Sequence, residues 1–523
     1  MLKYKAAMKK SYVGFDSKTV LKEVFGYKEF RSIQKEIIQN VLDGKDTVAI
    51  MPTGGGKSLC YQIPALIFDG ITVVISPLIS LMQDQVSSLQ NLGINAVFLN
   101  SSVEWKTYLS YMNSVRDGET KIVYVSPEGL ASKKIQELLH DERVKVSCIT
   151  IDEAHCISSW GHDFRPDYLE IRPVIKQFPG AVCLALTATA TKEVQKDIIK
   201  SLGLKKPEVL TAGFNRPNIF LNVMPRSDGF QQVVECIRRH KNESGIIYCF
   251  SRRQVDLLAN QLVRSGYSAL NYHAGLSDSE RKQNQDYFLE GRVQIMVATL
   301  AFGMGINKSD VRFVIHYELP RSIEQYYQEI GRAGRDGKPS EALLLYSGSD
   351  LFKIRHFFED SFDRKNSERL LQAMVDFVRS DTCRRQKLLS YFGEEYDPDA
   401  PSEDELPCCD CCERGPAPKT DMTICAQKLL SCIIRTESRY GICYITEVLL
   451  GMRAKRIVQN HHDKLSTWGI GKELDKNQWS RLAAYLVDNG YLLKSEKYGV
   501  LSLTKKGLDF LRNRDLLLIP FAL

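Results

Sequence analysis

The sequence lacks the segments that place a chain in or across a membrane. No run of about 18 apolar residues occurs in it, and the basic N-terminus, MLKYKAAMKKSY, lacks the apolar stretch of a secretory signal. Internal repeats and low-complexity tracts are absent as well. These absences exclude membrane-spanning and repetitive architectures, and we expect a reducing intracellular compartment.

The composition and charge describe a multidomain globular protein with one basic region. Hydrophobic residues make up 44% of the 523 residues and charged residues 25%, with a mean hydropathy of −0.23. This length predicts three or four domains. Residues 421–523 hold 16 Lys and Arg against 10 Asp and Glu, which is nearly all of the net charge of +7. The asymmetry suggests an anionic partner, although a solvated surface is the alternative.

Two series of short apolar runs indicate two parallel β-sheets. Near-continuous apolar strands separated by helical stretches are typical of parallel sheets covered on both faces. The two series are residues 47–51, 71–77, 121–127, 148–155 and 182–190, and then 245–252, 269–275, 294–303, 311–320 and 342–348. We expect two domains of one architecture, joined near residues 207–216, with ligands at the carboxyl ends of the strands.

The rest of the chain changes character. Residues 349–395 have a helical pattern, followed by an acidic loop that contains prolines (394–407), a cysteine cluster and a second Pro-rich linker (415–420). Short helices follow from residue 421, and then a predicted hairpin, YLLKSE–KYG–VLSLT. Helices that lead to a hairpin within a basic segment suggest a winged helix.

A glycine-rich loop follows the first predicted strand and opens a helix. In Met51-Pro-Thr-Gly-Gly-Gly-Lys-Ser, Gly54, Gly55 and Gly56 let backbone N–H groups close around phosphates at a helix N-terminus. Lys57 can reach the β- and γ-phosphates, and the Ser58 hydroxyl suits Mg²⁺. The strict pattern has glycine in place of methionine, but a chance loop rarely places Gly-Lys-Ser between a strand and a helix. The loop predicts an ATP site.

Two further motifs extend the predicted ATP site. The sequence Asp-Glu-Ala-His ends another apolar strand, where Asp152 can bind Mg²⁺ and Glu153 can position the attacking water. An acidic loop is the alternative. In the second series, a motif rich in Arg and Gly carries Arg332 and Arg335. An arginine placed across a cleft can neutralise charge on the γ-phosphate, whereas a surface helix with solvated arginines is the alternative.

Five cysteines lie between residues 383 and 412. Structural zinc is held by four thiolates, often in pairs separated by two residues, and the run CCDCC at 408–412 offers two such pairs. Reduced cysteines without a metal are the alternative, but exposed thiols beside an acidic loop are prone to oxidation. The cluster therefore predicts a zinc site.

In this order, the motifs resemble those of the RecQ family of superfamily 2 helicases. The resemblance begins with LKEVFGYKEFRSIQ and covers nearly the whole chain, through residues 76–85, 151–168, 184–190, 214–219, 246–252, 272–276, 298–316 and the arginine motif. The segment ISSWGHDFRPDY resembles the family's aromatic-rich loop. This loop is far more specific than the ATP motifs, which all such motors share.

The resemblance implies a fold and an activity. The expected α/β fold has two tandem RecA-like parallel-sheet motor domains (1–208 and 209–348), a helical zinc-binding subdomain (349–419) and a winged-helix domain (420–523). The implied activity is ATP-dependent unwinding of DNA with 3′ to 5′ polarity, in recombination, replication and repair. ATP, Mg²⁺ and Zn²⁺ are the implied cofactors. Because the sequence ends at residue 523, we do not expect the small helical C-terminal domain of many relatives.

Site residues for the nucleotide follow from the same resemblance. Tyr27 and Arg31 would flank the adenine base, and Gln34 would hydrogen-bond its edge. A glutamine amide suits adenine because it offers a donor and an acceptor together. The remaining implied residues of the ATP site are Thr53, His155 and Gln328.

The resemblance also narrows the zinc ligands. The family's Cys-Asp-x-Cys element matches at Cys409 and Cys412, and Cys383 makes a third ligand. The chain departs from the usual family spacing, so the fourth ligand is either Cys408 or Cys411. We prefer Cys408, which follows a proline.

Two groups of residues are expected to contact DNA. The aromatic loop offers Trp160 and Phe164 as platforms for base stacking and Arg165 as a phosphate or cation–π partner, with core packing of the rings as the alternative. In the winged segment, solvated surface is the alternative to duplex backbone contacts. The predicted contacts there are Arg453, Arg456 and Lys464.

These inferences predict a DNA helicase that acts on single strands and duplex junctions. We expect a monomer with no membrane contact, in bacterial cytoplasm on the nucleoid or in a eukaryotic nucleus, with a single-strand-binding protein and a topoisomerase as candidate partners. One alternative is an RNA-remodelling DEAH-type helicase, which the zinc and winged modules disfavour. The other is a DNA-binding protein with a decayed motor, which the intact Lys57, Asp152, Glu153 and Arg335 disfavour.

Overall fold

The computed structural model describes residues 11–31, 33–100, 103–303, 308–358, 363–398, 407–415, 419–495 and 499–520. The chain divides into two compact units, residues 1–413 and 414–523. Within the described ranges, every helix is too short or too polar to span a lipid bilayer.

The first unit begins with a seven-stranded parallel sheet. Its strands are β1 (Thr47–Ile50), β2 (Ile71–Ile75), β3 (Ala96–Leu99), β4 (Ile122–Val125), β5 (Val146–Ile151), β6 (Val182–Thr187) and β7 (Glu208–Thr211). The helices around it are α1 (Ser17–Phe25), α2 (Gln34–Leu42), α3 (Leu59–Ile67), α4 (Ile79–Asn91), α5 (Trp105–Arg116), α6 (Pro127–Leu130), α7 (Lys133–Leu139), α8 (Ile171–Ile175) and α9 (Lys192–Leu202), with 3₁₀ turns at Ala154–Ile157 and Pro166–Glu170. The strand order is β3-β4-β2-β5-β6-β1-β7.

Both faces of this sheet are covered, which explains the continuous apolar runs of the sequence. In β1, Val48 and Ile50 belong to one core cluster and Ala49 to another, because successive side chains of a strand point to opposite faces. Strands β5, β6 and β1 are neighbours and parallel. The segments that follow them therefore emerge together at the carboxyl edge of the sheet.

A second, six-stranded parallel sheet follows in the same unit. Its strands are β8 (Ile219–Pro225), β9 (Ser244–Tyr248), β10 (Ala269–Tyr272), β11 (Ile295–Ala298), β12 (Val311–His316) and β13 (Ser340–Tyr346), in the order β10-β11-β9-β12-β13-β8. Its helices are α10 (Gly229–Arg239), α11 (Arg252–Arg264), α12 (Asp278–Leu289) and α13 (Ile323–Ile330). The prediction of two parallel-sheet domains is confirmed. Part of the motif at 298–316, residues 304–307, lies outside the described residues.

The boundary between the two sheets is less sharp than the sequence suggests. Strand β7 pairs with β1 and so belongs to the first sheet. The predicted boundary between residues 208 and 209 falls inside this strand, directly after its first residue. The domain boundaries stay predictions.

Four helices complete the first unit, namely α14 (Gly348–Phe358), α15 (Arg364–Arg379), α16 (Arg384–Tyr391) and α17 (Asp410–Arg414), whose last residue is the first of the second unit. In α15, Leu371, Met374 and Val378 have helical spacing and pack into the core cluster shared with both sheets. Residues 399–406 of the acidic loop lie outside the described residues.

The second unit has its own core around the fully buried Trp479, whose indole N–H donates to the carbonyl of Gly471 at 2.9 Å. Its remaining elements are β14 (Lys419–Asp421), α18 (Thr423–Arg435), α19 (Ile442–Leu449), α20 (Lys455–Gln459), a 3₁₀ turn (His462–Lys464), α21 (Lys476–Asp488), β15 (Leu492–Lys494), β16 (Leu501–Leu503), α22 (Lys505–Asn513) and β17 (Leu518–Pro520). Strands β15 and β16 pair antiparallel, which confirms the predicted hairpin. Residues 496–498 between them and 416–418 of the linker lie outside the described residues.

Candidate active site

The glycine-rich loop lies between β1 and α3, as predicted, and two of its glycines have backbone conformations that disfavour other residues. Gly54 and Gly56 have φ angles of +83° and +81°. A Cβ on Gly56 would lie 2.3 Å from Nε2 of Gln34, so a side chain here would displace the Gln34 amide. The loop, residues 51–58, is called the phosphate loop below.

Of the predicted adenine residues, Gln34 contacts the phosphate loop. Tyr27 is 51% exposed, and Arg31 is exposed too. Gln34 is buried, and its Nε2 donates to the carbonyls of Gly55 and Gly56 at 3.2 and 3.0 Å. Its Oε1 accepts from the backbone N–H of Arg31 at 2.7 Å. Both ends of the amide are thus engaged by the protein. Oε1 can still accept a second hydrogen bond, whereas Nε2 must release a carbonyl to donate to adenine.

The acidic motif reaches the phosphate loop from β5. Nζ of Lys57 lies 3.5 Å from Oε1 of Glu153, and both side chains are largely buried. Glu153 has a left-handed φ of 49°, which is strained for a residue with a side chain. Its other carboxylate oxygen lies 3.3 Å from Nδ1 of His155, and that nitrogen lies 2.8 Å from Oγ1 of Thr187. The three strands β1, β5 and β6 therefore deliver one connected polar cluster.

The protonation of this cluster follows from its burial. Burial, and then the adjacent Glu153 carboxylate, raise the pKa of Asp152 to about 6. Burial, and then the neighbouring His162, lower the pKa of His155 well below its ordinary value, so the imidazole is neutral at pH 7. The ring of His155 stacks on that of His162 at 4.6 Å between centroids.

The donor set fits a magnesium nucleotide. Mg²⁺ takes oxygen ligands, usually one or two carboxylates together with phosphate oxygens. Burial and the neighbouring Glu153 carboxylate raise the pKa of Asp152, and a bound cation would relieve both effects. The Ser58 hydroxyl, at the N-cap of α3, is the second oxygen donor predicted for the ion.

The arginines of the second sheet face this cluster. A Cβ on Gly54 would lie 3.0 Å from Cγ of Arg335, so this arginine packs directly over the phosphate loop. Arg332 is 5% exposed and lies against Gly303. Burial, and then Arg332 and Arg216, lower the pKa of Arg335 to about 10. This concentration of positive charge beside the glycine-rich loop suits a polyanion such as a triphosphate.

Two contacts tie the sheets together at the phosphate loop. Nη1 of Arg216 lies 3.4 Å from the carbonyl of Thr53 and 3.2 Å from that of Gly331. Its Nη2 donates to the carbonyls of Ala333 and Gly334 at 2.8 and 3.0 Å. Nε2 of the predicted Gln328 donates to Oγ1 of Thr189 at 3.1 Å.

Arg216 is a site residue that was not predicted from the sequence, although its segment, FNRPNI, is among the motifs that carry the resemblance. Its guanidinium binds backbone carbonyls more than 100 positions away in the chain. The only signal in the sequence is an arginine within a recognised motif.

The aromatic loop leaves its tryptophan at the surface. Trp160 is 51% exposed, and the guanidinium of Arg369 on α15 lies 5.9 Å from its ring centroid. Nδ2 of Asn366, also on α15, donates to the carbonyl of Ser159 at 3.0 Å. This exposure excludes core packing for Trp160. Sequence reasoning missed both α15 residues because they lie some 200 positions beyond the loop.

The other two predicted loop residues are more enclosed. Phe164 is half-buried. Arg165 donates to Oδ2 of Asp163 at 3.1 Å and to the carbonyl of Pro77 at 3.2 Å. Arg165 is therefore already paired with a carboxylate, which reduces the charge it offers to a phosphate. The loop is joined to the acidic motif by Tyr168, whose hydroxyl donates to the carbonyl of Asp152 at 3.0 Å.

Four of the five clustered cysteines bring their sulfurs together. The Sγ atoms of Cys383, Cys408, Cys409 and Cys412 all lie within 4.8 Å of one another, and their closest separations are 3.5 Å. A tetrahedral zinc with Zn–S bonds of 2.3 Å places sulfurs about 3.8 Å apart. Cys411 points elsewhere, with its Sγ 3.9 Å from the carbonyl of Ser380. The geometry supports Cys408 as the fourth ligand.

In the second unit, the predicted DNA contacts differ in availability. Arg453 and Lys464 are exposed. Arg456 donates to Oε2 of Glu447 at 2.7 Å and lies 4.9 Å from the ring centroid of Tyr444. Internal pairing thus makes Arg456 the weakest of the three candidates for a phosphate contact.

Family models match consecutive parts of the chain. They are the DEAD/DEAH box helicase (residues 31–197), the helicase conserved C-terminal domain (228–337), the RecQ zinc-binding domain (348–413) and the RQC domain (416–522).

Individual known proteins are similar over most of the chain. The ATP-dependent DNA helicase RecQ of Pasteurella multocida is 45% identical over 95% of this chain and 78% of its own length. That of Bacillus subtilis is 41% identical over 95% and 83%, respectively. A solved structure of the Mycobacterium smegmatis helicase Lhr bound to single-stranded DNA and AMP-PNP covers 92% of this chain and 59% of that one, with a TM-score of 0.54 and 17% identity. At that identity, the last likeness shows the fold alone.

Proposed function

The chain belongs to the RecQ family of ATP-dependent DNA helicases, and from this premise we propose that it moves 3′ to 5′ along single-stranded DNA and unwinds the duplex ahead. The observation that carries the proposal is the packing of Arg335 over Gly54. It supports a nucleotide site to which both motor domains contribute. ATP binding would then close the domains on each other, and hydrolysis with product release would let them part, so that each cycle advances the strand.

Each group of the site has a proposed role in hydrolysis. Lys57 binds the β- and γ-phosphates, and Glu153, paired with Lys57, positions the attacking water and accepts its proton. Arg335 and Arg332 neutralise the charge that grows on the γ-phosphate. Arg216 fixes the phosphate loop relative to the arginine motif, because its guanidinium donates to backbone carbonyls of both.

The cofactors have defined places in this proposal. Bound Mg²⁺ supplies neutralisation of the phosphate oxygens, and Ser58 and Asp152 are the residues we assign to it. Zinc supplies folding free energy, with Cys383, Cys408, Cys409 and Cys412 as its ligands.

DNA is sensed through the aromatic loop in this account. A base stacked on Trp160 moves a loop that is joined to the carbonyl of Asp152 by Tyr168 and to α15 by Asn366. Stacking of a base is worth about 1–3 kcal/mol, enough to shift the position of a short loop. DNA bound at the aromatic loop thereby controls the geometry of the carboxylates at the site of hydrolysis.

The wider setting follows from DNA as the substrate. We place the chain with the chromosome, on the nucleoid in bacterial cytoplasm or in a eukaryotic nucleus, in recombination, replication and repair. A single-strand-binding protein, a topoisomerase and the monomeric state stay predictions from the resemblance.

The experiment that tests the substrate compares nucleic acids of one sequence and length. ATP turnover is measured with single-stranded DNA and with the corresponding RNA. We expect strong stimulation by DNA and little by RNA. Stimulation by RNA that equals or exceeds that by DNA would favour the RNA-remodelling alternative.

A further inference from the structure

A group of metal-binding side chains lies at the other end of the second motor domain. Cys236 and His240 are one helical turn apart at the end of α10, and Glu341 is the second residue of β13. Their ligand atoms all lie within 4.8 Å of one another. Glu341 lies five residues before the carboxyl end of β13, which places the group roughly 17 Å from that edge of the sheet.

We propose that Cys236, His240 and Glu341 form a binding site for a thiophilic divalent cation of the zinc class, distinct from the four-cysteine cluster. Thiolate, imidazole and carboxylate are the ligand types that such ions take, and three protein ligands leave one position for water. The site would join the end of α10 to the start of β13 and stabilise the second motor domain.

The separations of the ligand atoms match tetrahedral coordination. Nε2 of His240 lies 3.1 Å from Oε2 of Glu341, and Sγ of Cys236 lies 3.8 Å from the same oxygen. Bonds of the usual length to zinc place a nitrogen and an oxygen about 3.4 Å apart and a sulfur and an oxygen about 3.6 Å apart. Small side-chain movements therefore bring all three atoms to one ion.

The surroundings orient the ligands. Nδ1 of His240 lies 2.9 Å from Oε2 of Glu243, which leaves Nε2 as the coordinating atom, and metal-bound histidines commonly have such a carboxylate partner. Oε1 of Glu341 accepts from Arg239 at 2.7 Å and from Asn222 at 3.0 Å. Oε2 of Glu341, the proposed ligand atom, accepts from Nε of Arg239 at 3.3 Å. The ion would replace this longer contact, while both hydrogen bonds to Oε1 remain.

The charges around the site balance with the ion bound. Arg239, Glu243 and Glu341 keep their charges, while the cation displaces one proton from the Cys236 thiol and one from the His240 imidazolium. Exchange of a divalent ion for two protons leaves the charge of the group unchanged. Because binding of the ion releases these protons, the affinity should increase as the pH rises.

Cobalt titration of the full chain tests the site, because a thiolate bound to Co²⁺ gives a distinctive charge-transfer absorption. The zinc content is measured in parallel to account for the four-cysteine cluster. The unmodified chain should gain one further equivalent of cobalt with a thiolate band. Cys236→Ser should abolish that gain, and Cys249→Ser, which removes another buried thiol of the same domain, should bind as the unmodified chain does.

A surface variant keeps the test decisive if Cys236→Ser does not fold. The side chain of Glu243 is 43% exposed, so Glu243→Gln should fold and bind cobalt about 10- to 100-fold more weakly. Identical cobalt spectra and affinities in the unmodified chain, Cys236→Ser and Glu243→Gln would overturn the proposal and leave the group as an ion-pair network. If Cys236→Ser is insoluble, unchanged affinity in Glu243→Gln overturns it alone.

Discussion

At the scale of single residues, the nucleotide site is a set of polar contacts that a triphosphate can exchange. Lys57 lies 3.5 Å from Glu153, and Gln34 holds two carbonyls of the phosphate loop. We propose that phosphate oxygens compete for Lys57, which would free Glu153 to act on water, and that adenine competes for the amide of Gln34. On this proposal, binding of ATP is linked to rearrangement of the phosphate loop.

Replacement of Lys57 by alanine tests the phosphate assignment. Loss of a charge-stabilising group in such a site costs on the order of a hundredfold or more in rate, so ATP turnover should fall by at least that factor. DNA binding, measured by fluorescence anisotropy, should be retained. Lys45→Ala, an exposed lysine just before β1, should leave turnover unchanged. Turnover within a few-fold of the parent in Lys57→Ala would contradict the assignment.

Replacement of Trp160 by alanine tests the link to DNA. The 51% exposure of this side chain predicts an unchanged melting temperature, whereas loss of a core tryptophan costs about 3–5 kcal/mol. DNA-stimulated hydrolysis and unwinding should drop sharply while basal hydrolysis survives. The affinity for DNA should fall only modestly, by the free energy of stacking about one base on an aromatic ring.

Trp105→Ala is the matched control for this variant. Trp105 is 54% exposed in the same domain and also has a cation over its ring, Nζ of Lys134 at 4.2 Å. It should keep full stimulation by DNA. An equal loss of stimulation in both variants, or a large fall in melting temperature for Trp160→Ala, would defeat the coupling role.

Single residues differ in how well the sequence predicts them. Lys57, Glu153 and Arg335 belong to local motifs, and the structure brings them together. Arg216 was missed, and the pairing of Arg456 with Glu447 was not foreseen. Those contacts depend on packing between separate segments, which no local pattern encodes.

At the scale of elements, the helical segment after the second sheet has two functions. Helix α15 supports the aromatic loop, and α16 and α17 bring the four sulfurs together, with Cys383 at the N-cap of α16. A buried ion pair between Arg384 and Asp410, 3.0 Å apart, joins the two zinc-bearing helices. The strands and the hairpin were predictable from apolar patterns, whereas the support of the loop by α15 was not.

A pair of cysteine variants tests the zinc geometry. Cys408→Ser should lose about one zinc per chain relative to the parent and should melt at a lower temperature, because structural zinc supplies folding free energy. Cys411→Ser should keep its zinc, since that sulfur lies beside the carbonyl of Ser380 instead. The zinc content of each variant is measured by elemental analysis of freshly purified, reduced protein. Loss of zinc in Cys411→Ser but not in Cys408→Ser would show that Cys411 is the fourth ligand.

At the scale of the whole molecule, the motor domains and the zinc-bearing helices share one continuous core, and the winged unit has a core of its own. The two motor domains also contact each other through Arg216, Gln328 and Arg335. We propose that the nucleotide binds beside these contacts, so that its binding and hydrolysis act on both domains. The order of the motifs made this architecture predictable, whereas the contacts between the sheets required the structure.

Strand displacement on tailed duplexes tests whether the chain unwinds DNA in the 3′ to 5′ direction. The same duplex is presented with a 3′ single-stranded tail or with a 5′ tail, with and without ATP and Mg²⁺, and Lys57→Ala serves as the inactive control. We expect displacement of the 3′-tailed substrate only, and only with both ATP and Mg²⁺. Displacement without ATP, preference for the 5′ tail, or no displacement of either substrate by an ATP-hydrolysing protein would contradict this expectation.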